Sequence, residues 1–555
     1  MSIRTVCDVK RGGWVMAMGR WSEAREQGEL FLTSADFPKS PGHVFYDHLN
    51  SLLREAKFDA FVESECEPYY DDGSKGGRPS VPPGVYFRLL FVGYFEDLRS
   101  QRGIAWRCED SLSLREFLGL SWTDRVPDHS SLTKIRDRLP SLVHESAFAW
   151  VLALCEDKEL LTDPSDVGVD STTIEANAAM RSIVRKDSRK PYLEYVKELM
   201  RDGAPSSETP SSASPPSPND PPSPPTPSTP ESSTTPPPPP LPTPESTPPT
   251  TDPAAPSKVA TSEPTIAEVI RFDRKRKGKT TSNDDWESTT DPASRIAKRK
   301  DGRTHLAYQA EHVVDLKSEV ILAAVIYSAD VMDTQTLTDS VMTARFHLKA
   351  AVGEALTIDG VAADKGYHTR EQLALADSYG LRTYVAEPDR KGRPRWTGVP
   401  DEQKQAVLSN RRRGKGARGK AWQRRRSEVV ERSFAHVCET GGARRSWLKG
   451  LVKVTKRYTM AIAARNLGLL LRKLFGIGKP RTLQAGGKPD GSKGSNDGGG
   501  GGGPEGNGKG PNGTEGLLKR LLNVLKVMFI RHYVPIAPPN ADWQIRKISL
   551  FANAR

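Results

Sequence analysis

Three short segments of this chain each offer one carboxylate of the kind a divalent metal ion could hold beside a phosphodiester. V-G-V-D-S-T-T-I-E-A-N-A carries Asp170, L-T-I-D-G-V-A-A-D-K-G-Y-H-T carries Asp364, and V-V-E-R-S-F-A-H-V followed by G-G-A-R-R carries Glu431. Phosphodiester cleavage at neutral pH requires that the attacking water lose a proton and that the charge on the leaving oxygen be stabilised. Two divalent metals roughly 4 Å apart can do both. Hard oxygen ligands suit magnesium or manganese, so three carboxylates without cysteine form a plausible ligand set. Each acid alone is an ordinary residue at the end of an ordinary element. Together, in this order and with basic flanks, they point to a metal site acting on DNA.

Asp170 follows the apolar pair Val167 and Val169, where a strand leaves the core, and Ser171, Thr172 and Thr173 put hydroxyls beside it. The second segment offers two acids. Gly360 breaks the strand pattern directly after Asp359, whereas after Asp364 Gly366 permits a sharp turn and Lys365 offers a cation for a phosphate. The third segment also offers two, Glu428 and Glu431, on one helix. At ~100° per residue, Val430, Phe434 and Val437 form its apolar stripe. Glu431 lies about 90° from the stripe's centre and Glu428 about 150°, so Glu431 borders the packed face and Glu428 points outward.

The elements that must hold these acids can be read from the periodicity. D-V-G-V-D-S-T-T-I-E-A, T-H-L-A-Y-Q-A-E-H-V-V-D-L and V-I-L-A-A-V-I-Y are three successive strands. Residues 333–348 form a helix with Leu337, Val341, Ala344 and Leu348 on one face. Residues 355–363 make a fourth strand, 370–379 a helix closed by Gly380, 381–386 a fifth strand, and 427–437 a helix. Three strands followed by helix, strand, helix and strand imply an α/β domain with a mixed sheet. Residues 183–200 read as a charged helix before the low-complexity insertion. The dense basic run at residues 411–426 reads as a phosphate-binding loop.

The part up to Asp163 reads as all-helical, with apolar periodicity at residues 85–98 and 111–120. There, R-V-P-D-H-S-S-L-T-K-I-R-D-R-L sets a basic helix behind the cap Asp128, with Lys134, Arg136 and Arg138 as candidate DNA contacts.

The chain has 555 residues, a formal net charge of +12 and a pI of about 9.3, which favours a polyanionic partner. Its five cysteines are odd in number and widely spaced, against a disulfide framework or a C-x-x-C zinc site. No apolar run reaches the ~18 residues of a membrane span, and the N-terminus lacks a signal-peptide core. A cytoplasmic protein is expected. Residues 204–258 have the Pro/Ser/Thr composition of a disordered insertion, and residues 476–516 that of a Gly-rich linker. The tail at 517–555 holds a short basic amphipathic stretch suited to packing or dimer contact.

The three acid segments resemble the catalytic Asp, Asp and Glu of bacterial insertion-sequence transposases of the DDE superfamily. The resemblance spans most of residues 18–474 outside the proline-rich insertion. It extends to R-G-I-A-W-R-C-E-D-S-L-S-L-R-E-F-L-G-L, V-P-D-H-S-S-L and D-P-A-S-R-I-A-K-R-K-D-G-R-T-H-L-A-Y-Q-A-E-H-V-V-D. It selects Asp364 over Asp359, through A-D-K-G-Y-H. It implies a helical DNA-binding domain at 18–163 and an RNase H-like catalytic domain at 164–475, with residues 1–17 an extension of unassigned role. Asp170, Asp364 and Glu431 would be both catalytic and metal-binding, holding two Mg2+ (or Mn2+) ions. The partners would be double-stranded DNA, as terminal inverted repeats and target, and a second copy of the chain in a synaptic complex associated with the nucleoid. Relatives often carry Y-x-x-R-x-x-x-E with a basic residue seven positions on. Here those helper positions hold Arg424, Ser427 and Cys438. Arg432, Arg444 and Arg445 are the candidate replacements, and Lys365 a further DNA contact. The rival reading is a catalytically decayed copy that binds the repeats as a repressor.

Overall fold

The computed structural model describes residues 41–70, 80–121, 124–201, 264–275, 282–298, 302–389 and 396–480. The proline-rich insertion, residues 1–17, the tail and the Gly-rich linker past residue 480 lie outside the described residues. The chain divides into two compact units, one of residues 1–176 with 308–555 and one of residues 177–307.

Among the described residues the larger unit begins with seven α-helices: α1 (Pro41–Glu55), α2 (Phe58–Cys66), α3 (Pro83–Phe95), α4 (Gln101–Glu109), α5 (Leu112–Phe117), α6 (His129–Arg138) and α7 (Ser141–Asp157). Their starts follow from sequence. Pro83 opens α3 at a position where no amide donor is needed. Ser100, Ser111 and Asp128 cap α4, α5 and α6 with side-chain oxygens that accept backbone N–H bonds. Strand β1 (Asp166–Glu175) follows.

The smaller unit contains β2 (Ile183–Arg185), α8 (Tyr192–Arg201), α9 (Ile266–Lys275), β3 (Trp286–Ser288), β4 (Arg295–Lys298) and the start of β5 (Thr304–Asp315). β2 pairs antiparallel with β3, and β4 pairs antiparallel with residues 304–307 of β5. The charged helix expected over 183–200 is therefore split. The β-branched pair Ile183 and Val184 takes a strand, and the helix forms after Pro191, whose ring removes a helix hydrogen bond.

The chain returns to the larger unit through β5 and continues as β6 (Ile321–Ser328), α10 (Leu337–Val352), β7 (Gly360–Ala363), α11 (Arg370–Ser378), β8 (Arg382–Val385), α12 (Asp401–Lys415), α13 (Ala417–Phe434) and α14 (Leu451–Phe475). The sheet runs β6, β5, β1, β7, β8, with β5 and β6 antiparallel and β1, β7 and β8 parallel. The expected α/β class with a mixed sheet behind a helical N-terminal region is what the chain adopts. The fourth strand is shorter than residues 355–363, because a 3-10 turn with Gly353 at φ 71° occupies its approach. Residues 411–426 are helical rather than a loop. Arg, Lys, Gln and Ala are strong helix formers, and Gly416 marks the break between α12 and α13.

The helical region and the sheet share a core. α14 packs on α7, α3 and β6, and α10 packs on α7 and β6. Between β5 and α14 the buried His312 is fully engaged: Nδ1 meets Ser433 Oγ and Nε2 meets Tyr458 Oη, each at 2.8 Å. Burial pushes its pKa well down, so it is a neutral core residue.

Candidate active site

Strands β1 and β7 bring two of the three acids together. Asp166, Val167, Gly168 and Val169 pair in register with Gly360, Val361, Ala362 and Ala363. The next residue on each strand is Asp170 and Asp364. The buried run of residues 166–169 ends there, and residues 170–173 of β1 are half-buried before Ile174 returns to the core. Asp170 Oδ1 accepts the Ser171 amide at 2.8 Å. Burial pushes the Asp170 pKa up, Arg426 pulls it down, and the nearby Asp364 charge raises it again. Asp364 caps the 3-10 turn Lys365–Tyr367 by accepting the Lys365 amide. Two hard oxygen donors that repel one another at a half-exposed strand edge suit a divalent cation.

Helix α13 lies across these strands, and its close seat depends on Gly168. A Cβ there would come within 2.9 Å of Val430 Cγ2 and 3.0 Å of both Arg426 Cγ and Leu316 Cδ2. The helix is stitched down along its length. Arg418 bonds Asp166 at 2.6 Å, Gln423 donates to the Ala363 carbonyl at 3.0 Å, Arg425 donates to the Leu316 carbonyl at 3.0 Å, and Arg426 Nη1 donates to Asp170 Oδ2 at 2.8 Å.

Glu431 sits five residues beyond Arg426, exposed, and accepts from Ser427 Oγ at 3.2 Å. Glu428, three residues earlier on the same helix, is bound by Arg425 at 3.3 Å and by Arg432 at 2.5 Å. The structure thus juxtaposes Asp170 and Asp364 and keeps Glu431 on the adjoining helix. Among the described residues no three His, Cys, Asp or Glu side chains converge closely enough to hold one metal ion.

A fourth acid, Asp333, was not singled out from sequence. It opens the 3-10 turn after β6 and accepts from Ser171 Oγ at 2.8 Å and from Gln309 Nε2. Its Oδ2 faces Gly366, where a Cβ would approach to 3.3 Å. One carboxylate therefore links β1 to β5 beside the Asp364 turn. Beneath it, buried Glu311 accepts from Thr336 Oγ1 at 2.6 Å and from Tyr367 Oη at 2.8 Å, which fixes the same turn from below. Burial pushes Glu311 up to about 7. In sequence Asp333 reads as a helix start, and nothing in D-V-M-D-T-Q marks it as facing β1.

The candidate DNA contacts divide. Lys134, Arg138 and Lys365 are exposed. Arg136 is buried, with its guanidinium 5.9 Å from the Trp447 ring centroid and its carbonyl accepting from Lys456, so it is a packing residue rather than a DNA contact. Arg432 is held by Glu319 and Glu428, Arg444 by Glu439 and Thr172, and Arg445 lies 3.7 Å from Glu175. In the basic run, Arg411, Arg413, Arg418, Arg425 and Arg426 are engaged internally. Arg412, Lys415, Lys420 and Arg424 remain exposed, and of these Lys420 and Arg424 share one face of α13 with Ser427 and Glu431, at spacings of four, three and four.

Residues 35–138 match the family described as Transposase domain (DUF772), and residues 388–471 match that described as Transposase DDE domain. The first match covers α1 to α6. The second holds α12, α13 with Glu431, and most of α14. No curated protein and no solved structure matches the chain. A transposase helical region followed by a transposase DDE region supports an insertion-sequence transposase of the DDE type.

Proposed function

We propose that this transposase binds the terminal inverted repeats of its own element and carries out metal-dependent strand cleavage and strand transfer on an RNase H-like core. The observation that carries this reading is the placement of Asp170 and Asp364 directly after Val169 and Ala363, the last in-register pair of parallel strands β1 and β7. Asp170, Asp364 and Glu431 would hold two magnesium or manganese ions. Such ions, when bound, activate water and stabilise charge on a leaving oxygen.

The chain's own residues align the rest. Asp333 ties β1 beside Asp170 to β5, and Glu311 anchors the turn after Asp364 through Tyr367; a firm mounting of this kind is what such a site requires. Lys365, Lys420 and Arg424 present exposed cations to phosphates beside the acids, and Lys134 and Arg138 present them on α6. Water attacks the phosphorus at the element end, the P–O3′ bond breaks, and the departing oxygen takes a proton to become a 3′ hydroxyl. That hydroxyl then attacks a target phosphodiester, displacing the target's own 3′ oxygen. Handling two ends in one reaction calls for a dimer or larger assembly.

The test incubates the full chain with linear DNA carrying both element ends and a target plasmid. Free 3′ hydroxyls and joined products are expected with Mg2+ or Mn2+ and none with EDTA. Binding of the ends with no cut product under any metal condition would favour the decayed repressor.

A further inference from the structure

Arg426 stands over the middle of the sheet, beside the acids that follow the paired run of β1 and β7. Its side chain is 10% exposed, and its Nη1 closes on Asp170 Oδ2 at 2.8 Å. Its Nε is buried with no hydrogen-bond partner among the described residues. The other Asp170 oxygen is taken by the Ser171 amide. The neighbouring cations of α13 close on acids the proposed centre does not use, namely Arg418 on Asp166 and Arg425 and Arg432 on Glu319 and Glu428. Arg426 closes on one that it needs.

We propose that Arg426 is a place-holding cation that keeps Asp170 aimed and neutralised before metal and DNA arrive, and that a DNA phosphate draws it off, so that DNA and metal binding favour each other. This rests on the metal-centre reading above. A dication approaching Asp170 must displace a guanidinium and then lie beside its charge. A phosphate offers that guanidinium a better partner, because the planar fork matches phosphate oxygens and the unpartnered Nε gains an acceptor. The stem of Arg426 packs against Gly168, where an added Cβ would lie 3.0 Å from its Cγ, so the exchange asks only the guanidinium end to turn. By linkage, whatever factor DNA adds to metal affinity, metal adds to DNA affinity.

The experiment titrates Mn2+ into the full-length protein and follows the free-ion electron paramagnetic resonance signal, with and without a duplex of the element end. The wild type should bind Mn2+ weakly alone and about tenfold or more tightly with DNA. Arg426→Gln should bind Mn2+ without DNA about tenfold more tightly than wild type and lose most of the DNA-linked gain. Arg426→Lys, which keeps the charge, should stay near wild type, and Asp170→Asn should remove the gained affinity. Asp170-dependent binding that is no tighter in R426Q than in wild type would overturn the place-holder while leaving the metal centre standing. Binding that ignores Asp170 in every sample would overturn both. Should R426Q not fold, the wild type still decides, because absence of a DNA-linked gain contradicts the proposal.

Discussion

Asp333 and Glu311 show how single side chains control the geometry of acids they do not replace. Asp333 receives hydrogen bonds from Ser171 and Gln309, so its role is tested by separating acceptor from charge. Asp333→Ala should lower cleavage by about tenfold or more through lost positioning, whereas Asp333→Asn, which keeps an acceptor, should recover most of it. Equal loss in both would assign Asp333 to direct charge chemistry instead. Glu311 gives a pH signature. Its folded pKa, about 7, lies above the ordinary 4.5, so its stabilising protonation is complete below about 4.5 and lost as pH rises through 7. Such a difference is on the order of 3 kcal/mol between protonation states. Glu311→Gln should therefore gain stability relative to wild type between pH 5 and 8 in urea melts, and parallel curves would refute this. The sequence marked Asp170, Asp364 and Glu431 through local patterns of strand, turn and helix flank. It could not mark Asp333, Glu311 or Arg426, because their roles arise from contacts spanning 162, 56 and 256 residues.

Helix α13 is the element that would complete the proposed centre beside the ends of β1 and β7. It lies over β1 because Gly168 leaves room, so Gly168→Val should force the helix off and cost about 1–3 kcal/mol by chemical denaturation. A neutral outcome would mean that the helix is held by its ion pairs alone. Net basicity at residues 411–426 was plain in the sequence, but its distribution was not. Period-3.6 geometry sends most of the arginines to internal acids and carbonyls and leaves Lys420 and Arg424 on the Glu431 face. The same lesson applies to α6, where alternation of Lys134, Arg136 and Arg138 could not say which one is buried. Lys134→Ala should reduce the salt slope of DNA binding by about one without altering stability. Arg136→Ala should lower the melting temperature first, by loss of packing against Trp447. An unchanged melting temperature in Arg136→Ala would contradict the packing role.

At the scale of the molecule, the mixed α/β sheet behind a helical region was legible from periodicity, because both periods are local properties of the chain. Their sharing of one core was not, because α14, some 300 residues after α7, is what joins them. Severing the chain after Asp163 would bare the face of α7 that packs on α14 and α10, so residues 18–163 alone should aggregate or melt without cooperativity. A soluble fragment with a sharp transition would show that the helical region folds by itself. The central claim is that Asp170, Asp364 and Glu431 act as one metal-dependent centre on DNA. The most direct measurement is single-turnover cleavage of end-labelled element DNA in Mg2+ and in Mn2+ by wild type, Asp170→Asn, Asp364→Asn, Glu431→Gln and Glu428→Gln, each first shown to melt near wild type. Loss of at least about a thousandfold in the first three variants, with Glu428→Gln active, is the expected result. Undiminished cleavage by any of the first three, or loss confined to Glu428→Gln, would contradict it.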